Sequence, residues 1–385
     1  MGKVIKQRVL LITPFCPPGI GGAETHLQDL YEYLRTHDYF VYVCTYQPIT
    51  VNIKGKPIER RKNLEIHRYS WIGHNFFLKL EKYHPLFNFI YLTPYLFVRT
   101  FFFVLKHRNK IDVINAHGLN AAFIAVIIKK MFGIRSTMST MALYCFKPNT
   151  LFAKVSKWVL GSLDRIIAET QESKDEIISI GVPAEKIVVF SHWVDQNKFK
   201  PSDKNLAKRK FGWEDKFIVL FVGRAIPIKG GDTLVEVVSK INKKINLAII
   251  SDAGPLIDLF KKTADKNKNF LFVGGVPYED LHNYYKAADV FIIPSRYEEG
   301  AARVMMEAVS CGIPVVASNK GAIPSVLSNE VAVFVDPTAE KIREALENLY
   351  NNEAKIDNLR KKTRQFARER FGFKNVKVIL DAYKN

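Results

Sequence analysis

Two cations five residues apart, Arg224 and Lys229, stand just beyond an apolar run in FVGRAIPIKGGD (221–232). An arginine fork and a lysine point charge at the end of a strand suit a diphosphate. Taken alone, solvated loop cations are the commoner case. Two carboxylates, Glu299 and Glu307, lie eight residues apart in VFIIPSRYEEGAARVMMEAVSCGIPVVASNKG (290–321). That spacing puts one at the mouth of a helix and the other about two turns along it. Carboxylates only accept hydrogen bonds, so they suit the hydroxyls of a sugar or ribose. A helix dipole alone explains Glu299, but not Glu307 among Val304, Met305, Met306, Ala308 and Val309. A third candidate is the loop Pro14–Gly22, where Gly19, Gly21 and Gly22 let the backbone approach an anion at the start of a helix. The loop is not GxGxxG and no acidic residue is placed to hold a dinucleotide ribose, so a plain turn and a binding loop stand as equals. His117 ends an apolar strand and is followed by Gly118, which favours a site residue over packing; His26, His192 and His282 read as packing residues.

These residues need elements to hold them. Short β-branched runs alternate with amphipathic stretches along all 385 residues. Runs at 8–13, 40–45, 111–116, 164–169 and 186–191 read as strands. A second series follows at 217–222, 246–251, 269–273, 289–294, 313–318 and 331–335, with helices at 230–243, 278–287, 303–311 and 338–350 between them. Strands apolar on both faces, separated by helices, predict covered parallel sheets built from right-handed βαβ units. The polar stretch 192–216 interrupts the rhythm and places a linker near 195–205. Two doubly wound domains in tandem are expected to bind ligands at the carboxyl ends of their strands, across a cleft.

Composition sets limits. With 48% hydrophobic and 25% charged residues the chain is an ordinary folded protein. Four scattered cysteines form no CxxC pair, so neither zinc nor a disulfide framework is suggested, and a reduced, cytosolic setting is expected. No signal peptide is visible, since the run Val9–Thr13 is short and ends at Pro14. A net charge of +19 implies an anionic partner: nucleic acid, phospholipid or a phosphorylated substrate. No zinc-finger, helix-turn-helix or RNP-type motif is present and the basic residues are dispersed, which argues against nucleic acid.

The order of motifs closely resembles family 4 of the retaining GT-B glycosyltransferases. FVGR(x4)KG is followed by FVGGVPYEDLHNYYKAADVFIIPS, then by the Glu299/Glu307 pair and AVSCGIPVVAS; in the first half GGAE (21–24), the histidine of IDVINAHG and KIVVFSHWVD (186–195) fit the same pattern. The resemblance implies an α/β GT-B fold of two Rossmann-like doubly wound domains facing across a cleft. Residues 1–197 would bind the acceptor, 198–365 the nucleotide sugar, and 366–385 would form a helix returning to the first domain. It implies that Arg224, Lys229 and Gly22 contact the donor diphosphate, Glu307 the ribose, Val276 the base and Glu299 the transferred sugar. Backbone N–H groups over Gly300, Ala301, Ala302, Arg303 and Val304 would face sugar and phosphate oxygens, and His117 would line the sugar pocket. The resemblance also implies a nucleotide-diphosphate sugar as substrate; no other cofactor and no metal is expected, because the cations and the helix dipole would take over the metal's part. The family's Phe-Gly is replaced by Ala301-Ala302, an apolar residue by Arg303, Asn-Gly by His192-Trp193, and a glycine by Asp252; these put the identity of the sugar in question. A sugar-nucleotide 2-epimerase of the same fold is the alternative enzyme.

The most aromatic stretch, 71–110, bears on the acceptor. Trp71, Phe76, Phe77, Leu80 and Tyr83 recur near helical spacing beside Lys79 and Lys82, as in an interfacial segment, although a solvated or partner-covered loop fits as well. Next, Thr93 and Pro94 read as N-cap and first residue of a helix over 94–108, about 22 Å long and short of the roughly 30 Å hydrocarbon core. The expectation is a glycan or lipid-linked acceptor and a cytoplasmic protein peripheral on the inner face of an anionic membrane.

Overall fold

The computed structural model describes residues 5–19, 21–72, 76, 80 and 85–384. The chain divides into two compact units: unit 1 comprises 1–190 and 376–385, unit 2 comprises 191–375. The division falls seven residues before the expected 197/198 boundary, and the returning segment starts at 376 rather than 366. The tail is two helices, Glu353–Arg370 and Val376–Lys384, separated by a short turn, rather than one. Arg370 is followed by Phe371-Gly372, which ends the first helix.

Unit 1 is built on an eight-stranded sheet: β1 (Gln7–Ile12), β2 (Tyr39–Tyr46), β3 (Ile58–Arg61), β4 (Leu64–Tyr69), β5 (Val113–His117), β6 (Arg135–Ser139), β7 (Arg165–Ala168) and β8 (Ile187–Val189). The order is β3-β4-β2-β1-β5-β6-β7-β8, parallel except for the β3–β4 hairpin. The central strands are buried on both faces, which explains their unbroken apolar runs. The returning helix belongs to this unit: Tyr383 Oη donates to Asn115 Oδ1 at 3.1 Å, and Arg135 Nη2 donates to the Ala382 carbonyl at 3.2 Å.

The aromatic stretch departs from expectation. Its helix runs Pro85–His107, 23 residues or about 34 Å, with Pro94 inside it rather than at its start. By length and composition it could cross a membrane. One face, Leu92, Leu96, Phe103 and Val104, is nevertheless packed in the unit 1 core. The interior proline is accommodated by Tyr46, wholly buried on β2. Its hydroxyl accepts from the Leu96 N–H at 2.9 Å and donates to the Leu92 carbonyl at 2.8 Å, inserted between two groups that would otherwise pair. The opposite face exposes Phe87, Ile90, Val98, Phe102 and Leu105. Of the expected interfacial segment, Phe77, Lys79, Lys82 and Tyr83 lie outside the described residues. Trp71 stacks on Tyr95, ring centroids 4.7 Å apart, instead of facing outward.

Unit 2 has six parallel strands: β9 (Phe217–Val222), β10 (Ile245–Ile250), β11 (Phe270–Gly274), β12 (Val290–Ile293), β13 (Val315–Ser318) and β14 (Ala332–Val335), ordered β11-β10-β9-β12-β13-β14. The order reverses between β9 and β12. A buried ionic cluster pins this sheet. Asp289, at the start of β12, meets Lys204 Nζ at 2.9 Å, Lys208 Nζ at 2.6 Å and Arg360 Nη2 at 3.1 Å, and accepts the Ile218 N–H at 2.9 Å. Burial works to raise its pKa, but the charges of Lys204 and Lys208 outweigh it and hold the carboxyl below the usual 3.8.

Asp289→Asn is expected to lower stability near pH 7 by about 3–5 kcal/mol, because buried cations lose their counter-charge. The depressed folded-state pKa means this contribution is present above the ordinary carboxylate value and fades as pH falls through the folded one. Urea unfolding of both proteins at pH 7 and near pH 3 checks it: the gap should narrow in acid.

Candidate functional site

Each sheet directs its candidate residues to the place where strand order reverses. In unit 1 that point lies between β1 and β5. The loop carrying Gly19, Gly21 and Gly22 leaves β1, and His117 ends β5. His117 is buried, and its ring lies 6.1 Å from that of His26, which in turn lies 5.7 Å from Phe190. His26, expected to pack, stands buried on the Gly22–Thr36 helix between the rings of His117 and Phe190.

In unit 2 the reversal lies between β9 and β12, whose carboxyl ends feed the two charged loops. Arg224 follows β9, and Lys229 closes a short helical turn, Pro227–Lys229, before the Gly231–Lys240 helix. Glu299 follows β12 and is 3% exposed. The two loops touch: Lys229 Nζ contacts Glu299 Oε1, and the Ser295 hydroxyl donates to the same oxygen. Lys229 also lies over the Tyr297 ring, 4.9 Å from its centroid. Further ties fix the geometry. The Arg296 N–H donates to the Ile228 carbonyl at 2.8 Å, and Arg296 Nη1 donates to Asp232 at 2.9 Å. Two residues at this contact have positive φ, Gly230 (+77°) and Gly321 (+57°). A Cβ at 230 would strike the Pro294 carbonyl, and one at 321 the backbone of Glu299.

Glu307 lies on the Arg303–Ser310 helix, which opens just beyond Gly300, Ala301 and Ala302. Its carboxylate accepts from Tyr285 Oη at 3.0 Å, Tyr278 Oη at 3.2 Å and Arg303 Nε at 3.2 Å. Arg303 Nη2 also donates to Tyr278 Oη at 3.1 Å. Burial pushes the Glu307 carboxyl up, and the Arg303 charge and tyrosine hydroxyls offset part of that rise. Arg303, at the first position of the helix, is therefore buried against Glu307, one turn along. Sequence reading singled out both residues but not the tyrosines. Tyr278 and Tyr285 fall seven residues apart on the Tyr278–Ala287 helix, the spacing of one helix face. Val276, before that helix, lines with Gly275, Pro277 and Tyr284 a cavity of about 300 Å³. His192 and Trp193, the departure before the linker, are buried within unit 2, where the His192 carbonyl accepts from Asn375 Nδ2 at 3.2 Å. Among the described residues no cluster of three or more His, Cys, Asp or Glu is placed to hold a metal ion.

Comparison with known proteins gives the family and the fold. Residues 20–198 match the family model Glycosyltransferase Family 4, and residues 203–370 match Glycosyl transferases group 1. The phosphatidylinositol N-acetylglucosaminyltransferase GPI3 subunit of Saccharomyces cerevisiae is 24% identical over 346 residues, 86% of this chain and 72% of that protein. A D-inositol 3-phosphate glycosyltransferase of Mycobacteroides abscessus is 30% identical over 188 residues, 47% of this chain and 42% of its own. Among solved structures, sucrose-phosphate synthase from Thermosynechococcus elongatus superposes with a TM-score of 0.79 at 20% identity, covering 98% of both chains. Anabaena HepE in complex with UDP gives 0.77 at 18% identity, covering 97% of this chain and 98% of its own. These structures share the fold. Two matching family models, one on each half of the chain, place the protein in family 4 of the glycosyltransferases, with the GT-B fold.

Proposed function

We propose that the protein moves a sugar from a nucleotide-diphosphate sugar, bound by unit 2, to a glycan or lipid-linked acceptor bound by unit 1, with retention of anomeric configuration. The observation that carries this reading is the meeting of Lys229 and Glu299 at the carboxyl ends of β9 and β12. A cation and a hydrogen-bond acceptor held side by side suit the junction of diphosphate and sugar. Arg224 and Lys229 would take up the charge that develops on the departing diphosphate, assisted by N–H groups from Gly300 to Val304 at the helix start. This division of labour calls on no metal ion. Glu299 would accept from the sugar hydroxyls. Glu307 already accepts three hydrogen bonds; a carboxylate has about four lone-pair sites, which leaves room for one ribose hydroxyl. Val276 would lie against the base, and His117 would act on the transfer from unit 1.

The acceptor reading draws support from the exposed apolar face of the Pro85–His107 helix. Its carboxyl end carries Lys106 and His107 and runs directly into Arg108 and Lys110. An apolar stripe ending in cations suits the interface of an anionic bilayer, which would place the protein on the inner face of a membrane.

Arg224→Ala is expected to weaken donor binding by about 2–3 kcal/mol without unfolding the protein, as a charge-assisted contact is removed. Thermal shift against a panel of nucleotide sugars, followed by titration with the best, measures this; unchanged affinity would sink the donor assignment. The two carboxylates should separate: Glu299→Gln is expected to lower turnover far more than affinity for the bare nucleoside diphosphate, whereas Glu307→Gln weakens the bare nucleotide too. Identical behaviour of the two variants in both assays would refute the division of roles. Finally, the protein should float with phosphatidylcholine vesicles containing phosphatidylserine, and Ile90→Ser/Phe102→Ser should reduce flotation several-fold. Equal recovery in the soluble fraction with and without phosphatidylserine means a soluble acceptor.

A further inference from the structure

Unit 1 contains a cavity of about 600 Å³ lined by none of the residues assigned so far. Its charge is one-sided. Lys54, Lys56, Arg60, Arg61 and Arg68 line it, against the single carboxylate of Glu59. Glu59 is engaged by Arg61 and by Arg68, the latter at 2.8 Å. Arg60 meets Glu65 at 3.3 Å, and Arg61 also meets Glu32 at 3.1 Å. The ammonium groups of Lys54 and Lys56 meet no carboxylate among the described residues.

Those two lysines stand on a backbone that is held in place. The Gln47 side chain grips Gly55 from both sides, donating to its carbonyl and accepting from its N–H, each at 2.9 Å. Arg68 is 5% exposed and works through its guanidinium and its own N–H. Nη1 donates to the Lys56 carbonyl at 3.1 Å, Nε to the Pro17 carbonyl at 2.9 Å, and the backbone N–H to Pro57 at 2.7 Å. A buried arginine thus ties the 54–57 segment to the loop that leaves β1. Lysines rooted in a held backbone beside a cavity lose less freedom on binding an anion than lysines on a free chain.

We propose that this cavity binds a phosphate group carried by the acceptor, an assignment that rests on the glycosyl transfer proposed above. Ammonium point charges with neighbouring guanidinium forks match phosphate oxygens better than any neutral group. The position also fits. β4, which carries Arg68, and β5, which ends in His117, are separated in the sheet by β2 and β1. Three strand spacings make about 14 Å, roughly the reach of a phosphate ester whose reacting hydroxyl lies two rings away. The same chemistry is offered by a soluble sugar phosphate and by a phospholipid headgroup.

The test uses the full chain and its Lys54→Gln/Lys56→Gln variant. Inorganic phosphate, titrated by thermal shift, should bind the variant about tenfold more weakly than the wild type. A parallel flotation compares phosphatidylcholine vesicles carrying phosphatidylinositol with those carrying phosphatidylserine. Loss of an inositol-lipid preference in the variant identifies a lipid headgroup as the source. An unchanged vesicle profile with weakened phosphate binding identifies a soluble phosphate ester. Equal phosphate affinity in the two proteins overturns the proposal. Arg224→Ala keeps this apart from the donor reading. If that substitution abolishes the phosphate response while Lys54→Gln/Lys56→Gln spares it, the cavity assignment fails and the diphosphate assignment stands. A protein that turns over no nucleotide sugar would refute the transferase reading yet leave the phosphate comparison intact.

Discussion

The organisation of unit 2 depends on how closely two loops approach where its strand order reverses. β9 and β12 are neighbours in the sheet, so the segments that leave their carboxyl ends compete for the same space. They fit because residue 230 has no side chain to strike the Pro294 carbonyl, and residue 321 none to strike the backbone of Glu299. With the backbones that close, Lys229 and Glu299 have little choice but to meet. A lysine and a nearly buried glutamate then neutralise one another without either being fully desolvated alone. The cost of ordering both groups is met during folding.

Glu307 presents the same physics in a different form. An isolated carboxylate on an apolar helix would be costly to bury. Here two tyrosine hydroxyls and a guanidinium surround it, each from a residue whose own position is set by packing. Arg303 extends this network beyond the glutamate to Tyr278. Arg303 stands where the family pattern has an apolar residue, and so puts the identity of the sugar in question. In the folded unit its side chain meets a carboxylate and a phenol, both intramolecular.

Unit 1 uses polar side chains as fasteners. Tyr46 places its hydroxyl between the Leu96 N–H and the Leu92 carbonyl in the turn that holds Pro94, and so binds the 85–107 helix to β2. Arg68 fastens the 54–57 segment to the loop after β1. In unit 2 Asp289 joins two helices to the sheet through three cations. Each such group is expensive to bury alone and stabilising only as part of a satisfied set, which makes these sets specific as well as strong.

Periodicity and motif order alone were enough to determine the alternation of strand and helix, the presence of two doubly wound halves, and the residues that gather at the strand ends. The reason is local: an apolar run buried on both faces, or a helical repeat of apolar residues, carries its environment in its own composition. The helix at 278–287 and the strand at 217–222 were legible to the residue. What escaped was decided by distant contacts. β6, with Arg135, Ser136 and Thr137, carries no apolar signature; it is a strand by pairing with β5 and β7, and its buried hydroxyls find partners there, as when Thr137 Oγ1 donates to the Ile114 carbonyl at 3.2 Å. Pro94 reads as a helix start because proline favours that position, yet it lies inside the helix, in a turn opened by the hydroxyl of a tyrosine 48 residues earlier. The two glutamates were visible as chemistry, but their partners Ser295, Tyr278 and Tyr285 were not. Hydrogen-bond partners across a fold are fixed by where backbones meet, and spacing along the chain records only one side of each meeting.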